Sequence, residues 1–213
     1  PSISNDGLEV YFWCNRPGGL GDWDLWVATR VSTEDTWLPA TNLGEKVNSG
    51  GTEGFPCISA DGLELYFSRG SESTADLMVA RRNAKTQPWG RAENLGTGVN
   101  SPAGDYSPRV TDDGLELYFV STRAGGLGLS DLWVTRRPTP EDNWGPAVNL
   151  LTVNSGNHDQ WVNLSGDGLT LLFQSDRAGA QYGGLHMSRR KSTDDPWMAP
   201  VYLGLPMGGS IYT

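Results

Sequence analysis

Arginines and carboxylates stand at matching places along this chain. Arg16, Arg123 and Arg177 each follow an apolar run and precede glycines, and Arg69-Gly70 is a shortened version of the same feature. Glu53, Asp105 and Asp159 each come four residues after an Asn-Ser pair, at Asn48-Ser49, Asn100-Ser101 and Asn154-Ser155. Guanidinium and carboxylate form charge-assisted, often bidentate pairs. A pair that recurs in every unit is first a means of holding loops together and second a ring of charge for a ligand. Ligand chemistry is better sought where the units differ. Asn157-His158-Asp159-Gln160-Trp161 replaces Gly51-Thr52-Glu53-Gly54-Phe55, the third loop offers Asp105-Tyr106, and the first unit has Trp13-Cys14-Asn15 and the tip Asp22-Trp23. An aromatic face can pack on the C–H face of a sugar ring while fixed amides and carboxylates read its hydroxyls. The candidate ligand-binding set is therefore Trp23, Tyr106, His158, Asp159, Gln160 and Trp161, with Arg16, Arg123, Arg177, Glu53 and Asp105 around it. The competing readings are that Trp161 fills the apolar place of Phe55 and that His158 is a lone surface histidine.

Catalytic patterns are missing from the sequence. A glycoside hydrolase needs two carboxylates ~5–10 Å apart with separated pKa values. Asp105 and Asp159 could approach across a narrow pore, but repeated acids beside repeated arginines read as structure. Two histidines, His158 and His186, in unrelated settings make no metal cluster. No nucleophile elbow, phosphate loop or dinucleotide fingerprint occurs. Loops rich in Asp, Asn and Gly could hold Ca²⁺ through oxygens, although none matches an EF-hand. No catalytic residue, no metal ligand and no required cofactor is assigned.

A formal charge of −9 argues against a nucleic-acid partner, which needs a basic face, and disfavours anionic membranes. The apolar runs, such as Leu65-Tyr66-Phe67 and 169–173, are strand-sized, well short of the ~20 residues of a membrane helix. No membrane insertion is expected. Cys14 and Cys57 have neither metal-ligand spacing nor a disulfide framework and read as two unpaired thiols.

The elements that carry these residues come in four copies. Asp-Gly-Leu opens an alternating stretch at Asp6, Asp61, Asp113 and Asp167. The Arg/Gly loop follows, then a second run beginning at Asp24, Asp76, Asp131 and Gly184 and ending in Arg30, Arg82, Arg137 and Arg190. Seven residues after each of those arginines stands a tryptophan: Trp37, Trp89, Trp144, Trp197. Asp-Gly between two short strands is a hairpin signal, because glycine accepts positive φ. With one strand before the turn, as at 56–59, and one around 92–95, each unit holds four antiparallel strands. Four such units of ~50 residues predict an all-β, four-bladed β-propeller, with repeats at about 1–47, 48–99, 100–153 and 154–213. The tryptophans are expected between blades. Eleven residues link Gly44 to Pro56 and Gly96 to Pro108, and nine follow Gly204. That tail, joined to Pro1, nearly rebuilds an inter-blade loop and suggests four blades closing on themselves; the alternative is a five-bladed ring with one blade outside a segment cut from a longer protein.

The pattern Ser-x-Asp-Gly-Leu-x-Leu-Tyr-Phe, with Arg-x-Gly-Gly and Asp-Leu-Trp-Val-x-x-Arg, resembles the WD40-like repeats called PD40, found in TolB-type propellers and bacterial envelope proteins. The resemblance covers all four units. It implies a propeller fold and a non-catalytic, extracytoplasmic role (periplasmic, cell-surface or secreted) beside other domains. The Asp-Gly-Leu turns also resemble the Asp-boxes of sialidases, without active-site residues. The expectation is a monomeric binding module of a larger bacterial protein that takes an oligosaccharide at its loop face and central channel. The alternative is a protein-interaction or sensory scaffold of the TolB kind, with a partner protein in the channel and Arg123 and Arg177 as anchors. A glycoside hydrolase or lyase is the third reading.

Overall fold

The computed structural model describes residues 1–177 and 183–204. Sixteen strands form four antiparallel sheets of four, each in chain order. Blade one holds β1 (Ser2–Ile3), β2 (Glu9–Cys14), β3 (Asp24–Thr29) and β4 (Thr41–Asn42). Blade two holds β5 (Glu53–Ile58), β6 (Glu64–Arg69), β7 (Asp76–Arg81) and β8 (Glu93–Asn94). Blade three holds β9 (Asp105–Val110), β10 (Glu116–Ser121), β11 (Asp131–Arg136) and β12 (Val148–Asn149). Blade four holds β13 (Asp159–Leu164), β14 (Thr170–Ser175), β15 (Gly184–Arg189) and β16 (Val201–Tyr202). The four-bladed, all-β architecture expected from the repeats is the one observed.

The Asp-Gly turns form as their chemistry requires. In blade two the Ser59 hydroxyl and the Leu63 N–H both donate to Asp61 Oδ1, at 2.6 and 2.9 Å, and Gly62 sits at φ 74°, a region glycine enters without a Cβ clash. Alternating side chains of each blade then face opposite neighbours. Leu65 and Phe67 pack with Tyr11 and Leu25 of blade one, while Tyr66 and Val79 pack with Leu117 of blade three. Blades three and four share the cluster of Tyr118, Val120, Leu132, Leu171 and Phe173.

The recurring tryptophans seal these boundaries. Trp89 meets Tyr11, Trp144 meets Tyr66 and Trp197 meets Tyr118, each edge-on at 6.0–6.1 Å, an arrangement worth about 0.5–1.5 kcal/mol beyond area burial. Above each ring lies the arginine that precedes it: Arg82 at 4.4 Å, Arg137 at 4.3 Å, Arg190 at 4.6 Å. Those guanidiniums reach a carboxylate of the preceding blade, Glu9, Glu64 and Glu116 respectively.

Blade one departs from the pattern. Trp37 is 38% exposed, against 8% for Trp89 and 5% for Trp197, which corrects the expectation that all four rings lie between blades. Among the described residues no strand of blade four packs against a strand of blade one, whereas every other consecutive pair of blades does. The closed ring expected from the chain ends is thus not formed by the described strands, and the tail 205–213 lies outside the described residues. The sequence of β14 differs at the matching place. Where the other blades offer Glu-x-Tyr to the incoming Arg and Trp, blade four has Thr170-x-Leu172.

Candidate functional site

The innermost strands β5, β9 and β13 begin with the predicted carboxylates, and the register sets each one opposite the end of the next strand: Glu53 faces Arg69, Asp105 faces Ser121 and Asp159 faces Ser175. All three carboxylates are fully buried. Asp159 Oδ1 takes Arg177 Nη2 at 2.6 Å, and its Oδ2 accepts the Ser155 N–H and hydroxyl at 2.6 and 2.9 Å. Asp105 repeats this with Arg123 and Ser101. Arg123 and Arg177 also donate to the Val99 and Val153 carbonyls. Blade two reaches the same end by another route. Its arginine stands two residues earlier, and the longer Glu53 meets Arg69 Nε at 2.8 Å while Arg69 Nη2 donates to the Val47 carbonyl. In blades two, three and four these ion pairs join the start of the innermost strand to the end of the second strand or the loop beyond it. Arg16 differs: among the described residues it has no carboxylate partner, donates to Cys14 Sγ at 3.0 Å, and lies over Phe12 and Trp26. Cys14 and Cys57 are free thiols in different blades.

Aromatic side chains occupy the centre. Each innermost strand carries a bulge, and the bulged residues Phe55, Ser107 and Trp161 sit at φ 53–56°. Left-handed backbone on a bulky residue is strained, and a bulge re-aims a side chain out of the sheet's alternation. Here it brings Trp161 and Phe55 together, with ring centres 5.6 Å apart. Phe55 also meets Tyr106 at 6.0 Å and Trp13 at 5.2 Å, and Trp13 meets Trp23 at 4.7 Å. One continuous aromatic band, with a member from every blade, runs across the inner face. Trp23 is 37% and Trp161 49% exposed. Trp161 does hold the place of Phe55, as the competing reading had it, but where Phe55 packs against the core Trp161 is half exposed.

A polar edge lies beside the band. Gln160 Nε2 donates to Tyr106 Oη at 3.1 Å and to Ser130 Oγ at 3.0 Å, and Ser130 Oγ lies 2.9 Å from His158 Nδ1. The His158 backbone N–H donates to Asp176 Oδ1, so with its ring at Ser130 His158 is no isolated surface histidine. Burial and the nearby Glu72 push the Tyr106 phenol up to about 12, so it stays a neutral hydroxyl. Two openings flank this edge: a cleft of about 270 Å³ lined by Trp13, Trp23, Phe55, Tyr106 and Glu72, and one of about 320 Å³ lined by His158, Gln160, Gln174 and Asp176.

Of the predicted residues, Trp23, Tyr106, His158, Gln160 and Trp161 are therefore linked by ring and hydrogen-bond contacts, with Tyr106 itself buried. Glu53, Asp105, Asp159, Arg123 and Arg177 support this group from behind, and Arg16 stands apart on the loop beyond β2. Phe55, Ser130 and Trp13 were not among the sequence candidates. The strand register exposes them: Trp13 holds the place of Ser68, Val120 and Gln174, and Ser130 that of Trp23 and Ala75. His186, which replaces Trp26 and Trp133 on the third strand, is buried and packs between Phe173 and Tyr202. Among the described residues no group of three or more His, Cys, Asp or Glu side chains is placed to hold a metal ion.

No family model and no curated protein matches the chain in sequence. Solved structures do match its fold. TolB from Acinetobacter baumannii superposes with a TM-score of 0.67 at 14% identity, over 96% of this chain and 43% of that one. A TolB of Agrobacterium tumefaciens gives 0.62 at 14% over 94% and 64%, and a thermostable family-43 glycoside hydrolase gives 0.59 at 12% over 97% and 72%. The chain thus spans less than two thirds of either TolB structure. At such identities the likeness is one of fold: the chain is a four-bladed β-propeller module whose structural neighbours include TolB.

Proposed function

We propose that this chain is a non-catalytic carbohydrate-binding module, built of PD40-type repeats, within a larger extracytoplasmic bacterial protein. The observation that carries the reading is the aromatic band Trp23–Trp13–Phe55, with Tyr106 and Trp161 both packed on Phe55, and a Gln160/Ser130/His158 edge at its side. A pyranose ring stacks on the exposed indole of Trp161 or Trp23, burying C–H surface that costs little to desolvate. The amide of Gln160 and the neutral Tyr106 hydroxyl supply the donors and acceptors that orient its hydroxyls. A cleft of about 270 Å³ falls near the small end of ligand sites, ~300–1,000 Å³, and suits one ring of an oligosaccharide.

The buried pairing of Glu53, Asp105 and Asp159 supports a non-catalytic role, because a hydrolytic acid or base must reach its substrate. Among the fold neighbours are a family-43 glycoside hydrolase and a microbial sialidase, proteins named for acting on sugars. The placement outside the cytoplasm rests on the repeat resemblance. A scaffold that anchors a partner protein on Arg123 and Arg177 fits less well, since both guanidiniums already serve buried carboxylates and backbone carbonyls.

The test is a thermal-shift screen of the protein against oligosaccharides, with and without Ca²⁺. A ligand bound only to the folded state stabilises it by about 2.7 kcal/mol at a hundredfold excess over Kd. A shift with one sugar class that is lost in Trp161→Ala supports the reading. A flat screen at millimolar sugar rejects it and turns the search to partner proteins.

A further inference from the structure

Each boundary between blades in this chain is the same joint, used three times. The arginine that ends the third strand donates to a carbonyl of its own Asp-Gly turn: Arg82 to Gly62, Arg137 to Gly114 and Arg190 to Gly168, at 2.7–2.8 Å. It lies over the tryptophan seven residues on and delivers its remaining N–H groups to a glutamate of the preceding blade. Arg82 reaches both oxygens of Glu9 at 3.1 and 2.6 Å, and Arg190 both oxygens of Glu116 at 3.2 and 2.5 Å. Two residues beyond that glutamate a tyrosine donates back to it, Tyr66 Oη to Glu64 at 2.6 Å and Tyr118 Oη to Glu116 at 2.8 Å, and receives the tryptophan edge.

Blade one carries the whole first half of this joint. Arg30 donates to the Gly7 carbonyl at 2.7 Å and to the Thr33 carbonyl at 2.8 Å, and lies 4.4 Å over Trp37. No carboxylate among the described residues pairs with it. The apolar part of the same face is uncovered too: Val10 and Phe12 are half-buried, where their counterparts Leu65, Phe67, Leu117, Phe119, Leu171 and Phe173 are fully buried.

We propose that this face of blade one, built on Arg30 and Trp37, is the docking surface for a further propeller blade that presents Glu-x-Tyr on its second strand and is supplied by polypeptide outside these 213 residues. Charge complementarity and the three internal joints define that partner: one carboxylate bidentate to Arg30, and one tyrosine ring edge-on to Trp37. Blade four does not qualify. It offers Thr170-x-Leu172, and no strand of it packs against blade one. A second copy of this chain does not qualify either, because its three Glu-x-Tyr pairs already serve Arg82, Arg137 and Arg190. The inference is independent of any sugar bound at the aromatic band.

Hydroxyl-radical footprinting of the 213-residue protein, read at each tryptophan beside sedimentation analysis, tests this. The expected result is a monomer in which Trp37 oxidises several-fold faster than Trp89 and Trp197. Trp37 as protected as Trp89 overturns the proposal, and sedimentation then distinguishes blade four from a second copy as the occupant. The variant Thr170→Glu/Leu172→Tyr restores the missing recognition element. Trp37 is then expected to become several-fold less reactive, by ring closure or head-to-tail pairing, and Arg30→Glu added to it reverses the protection. A folded double variant, by circular dichroism, whose Trp37 reacts as in the wild type also overturns the proposal. The wild-type footprint is decisive even if that variant does not fold.

Discussion

Arg190 Nη2 lies 2.5 Å from Glu116 Oε2 across the boundary between the third and fourth blades, with both side chains almost fully buried. The pair joins residues 74 apart in sequence, so it holds blades together where the backbone does not. Removing one partner of a buried pair strands the other and costs about 3–5 kcal/mol. Arg190→Ala is accordingly expected to lower stability by about that amount, measured as the shift in urea midpoint at unchanged slope. The same change at Arg30, which has no carboxylate partner, is expected to cost under about 1 kcal/mol. Equal costs at the two sites would show that the inter-blade carboxylate adds nothing.

Acid should loosen the joints. Burial opposes ionisation of Glu64 and Glu116, but donors outweigh it: Arg137, Tyr66 and Arg81 around the first, Arg190, Tyr118 and Arg136 around the second. Both carboxyls therefore titrate below their usual range. A carboxyl whose pKa is lowered by folding gives its full stabilisation above the unfolded value, about 4.3, and loses it as pH falls through the folded value. Denaturant midpoints should hold from pH 7 to about 5 as far as these two groups decide and drop below pH 4. Glu116→Gln is expected to flatten that drop.

The buried carboxylates of Glu53, Asp105 and Asp159 are structural girders, and Asp159→Asn tests this. Both oxygens of Asp159 are in use, on Arg177 and on Ser155, so the amide leaves a partly buried guanidinium short of charge. A loss of about 2–4 kcal/mol in chemical denaturation is expected. Unchanged stability would indicate a carboxylate kept for a ligand.

His186 introduces a second pH dependence. Burial lowers its imidazole pKa from the usual 6.5, so the folded state resists the proton that the unfolded chain accepts. Its contribution is fully present above about pH 6.5 and is lost as pH falls below that value. His186→Trp, which restores the residue of the first and third blades, should remove this slope between pH 7 and 5 in thermal melts.

Most of the architecture is legible in the chain because it is written four times. The Asp-Gly turns fix the hairpins, and the constant offset from Arg82 to Trp89, Arg137 to Trp144 and Arg190 to Trp197 marks the inter-blade joints. The same repetition concealed where the arc stops. Thr170-x-Leu172 looks like ordinary variation until the structure shows that Glu64 and Tyr66 are the receptors for Arg137 and Trp144. At the candidate site, Trp23, Tyr106 and Trp161 stood out as departures from the repeat. Trp13 stood out as a departure too but was not placed in the candidate set, and Phe55 was not legible as a site residue, because a bulge with positive φ re-aims it against the alternation that sequence patterning assumes.

The most direct measurement of the central claim is calorimetric titration, with the sugar selected by the thermal screen, of the wild type and of Trp161→Ala. The exposed Trp161 ring can be removed with little effect on the fold, and stacking of a sugar ring on it is expected to supply about 0.5–1.5 kcal/mol or more of the affinity. The account predicts measurable binding by the wild type that weakens at least several-fold in Trp161→Ala, with an unchanged melting temperature for the free proteins. Equal affinities for the two proteins would contradict it, because the sugar would then be held somewhere other than the aromatic band.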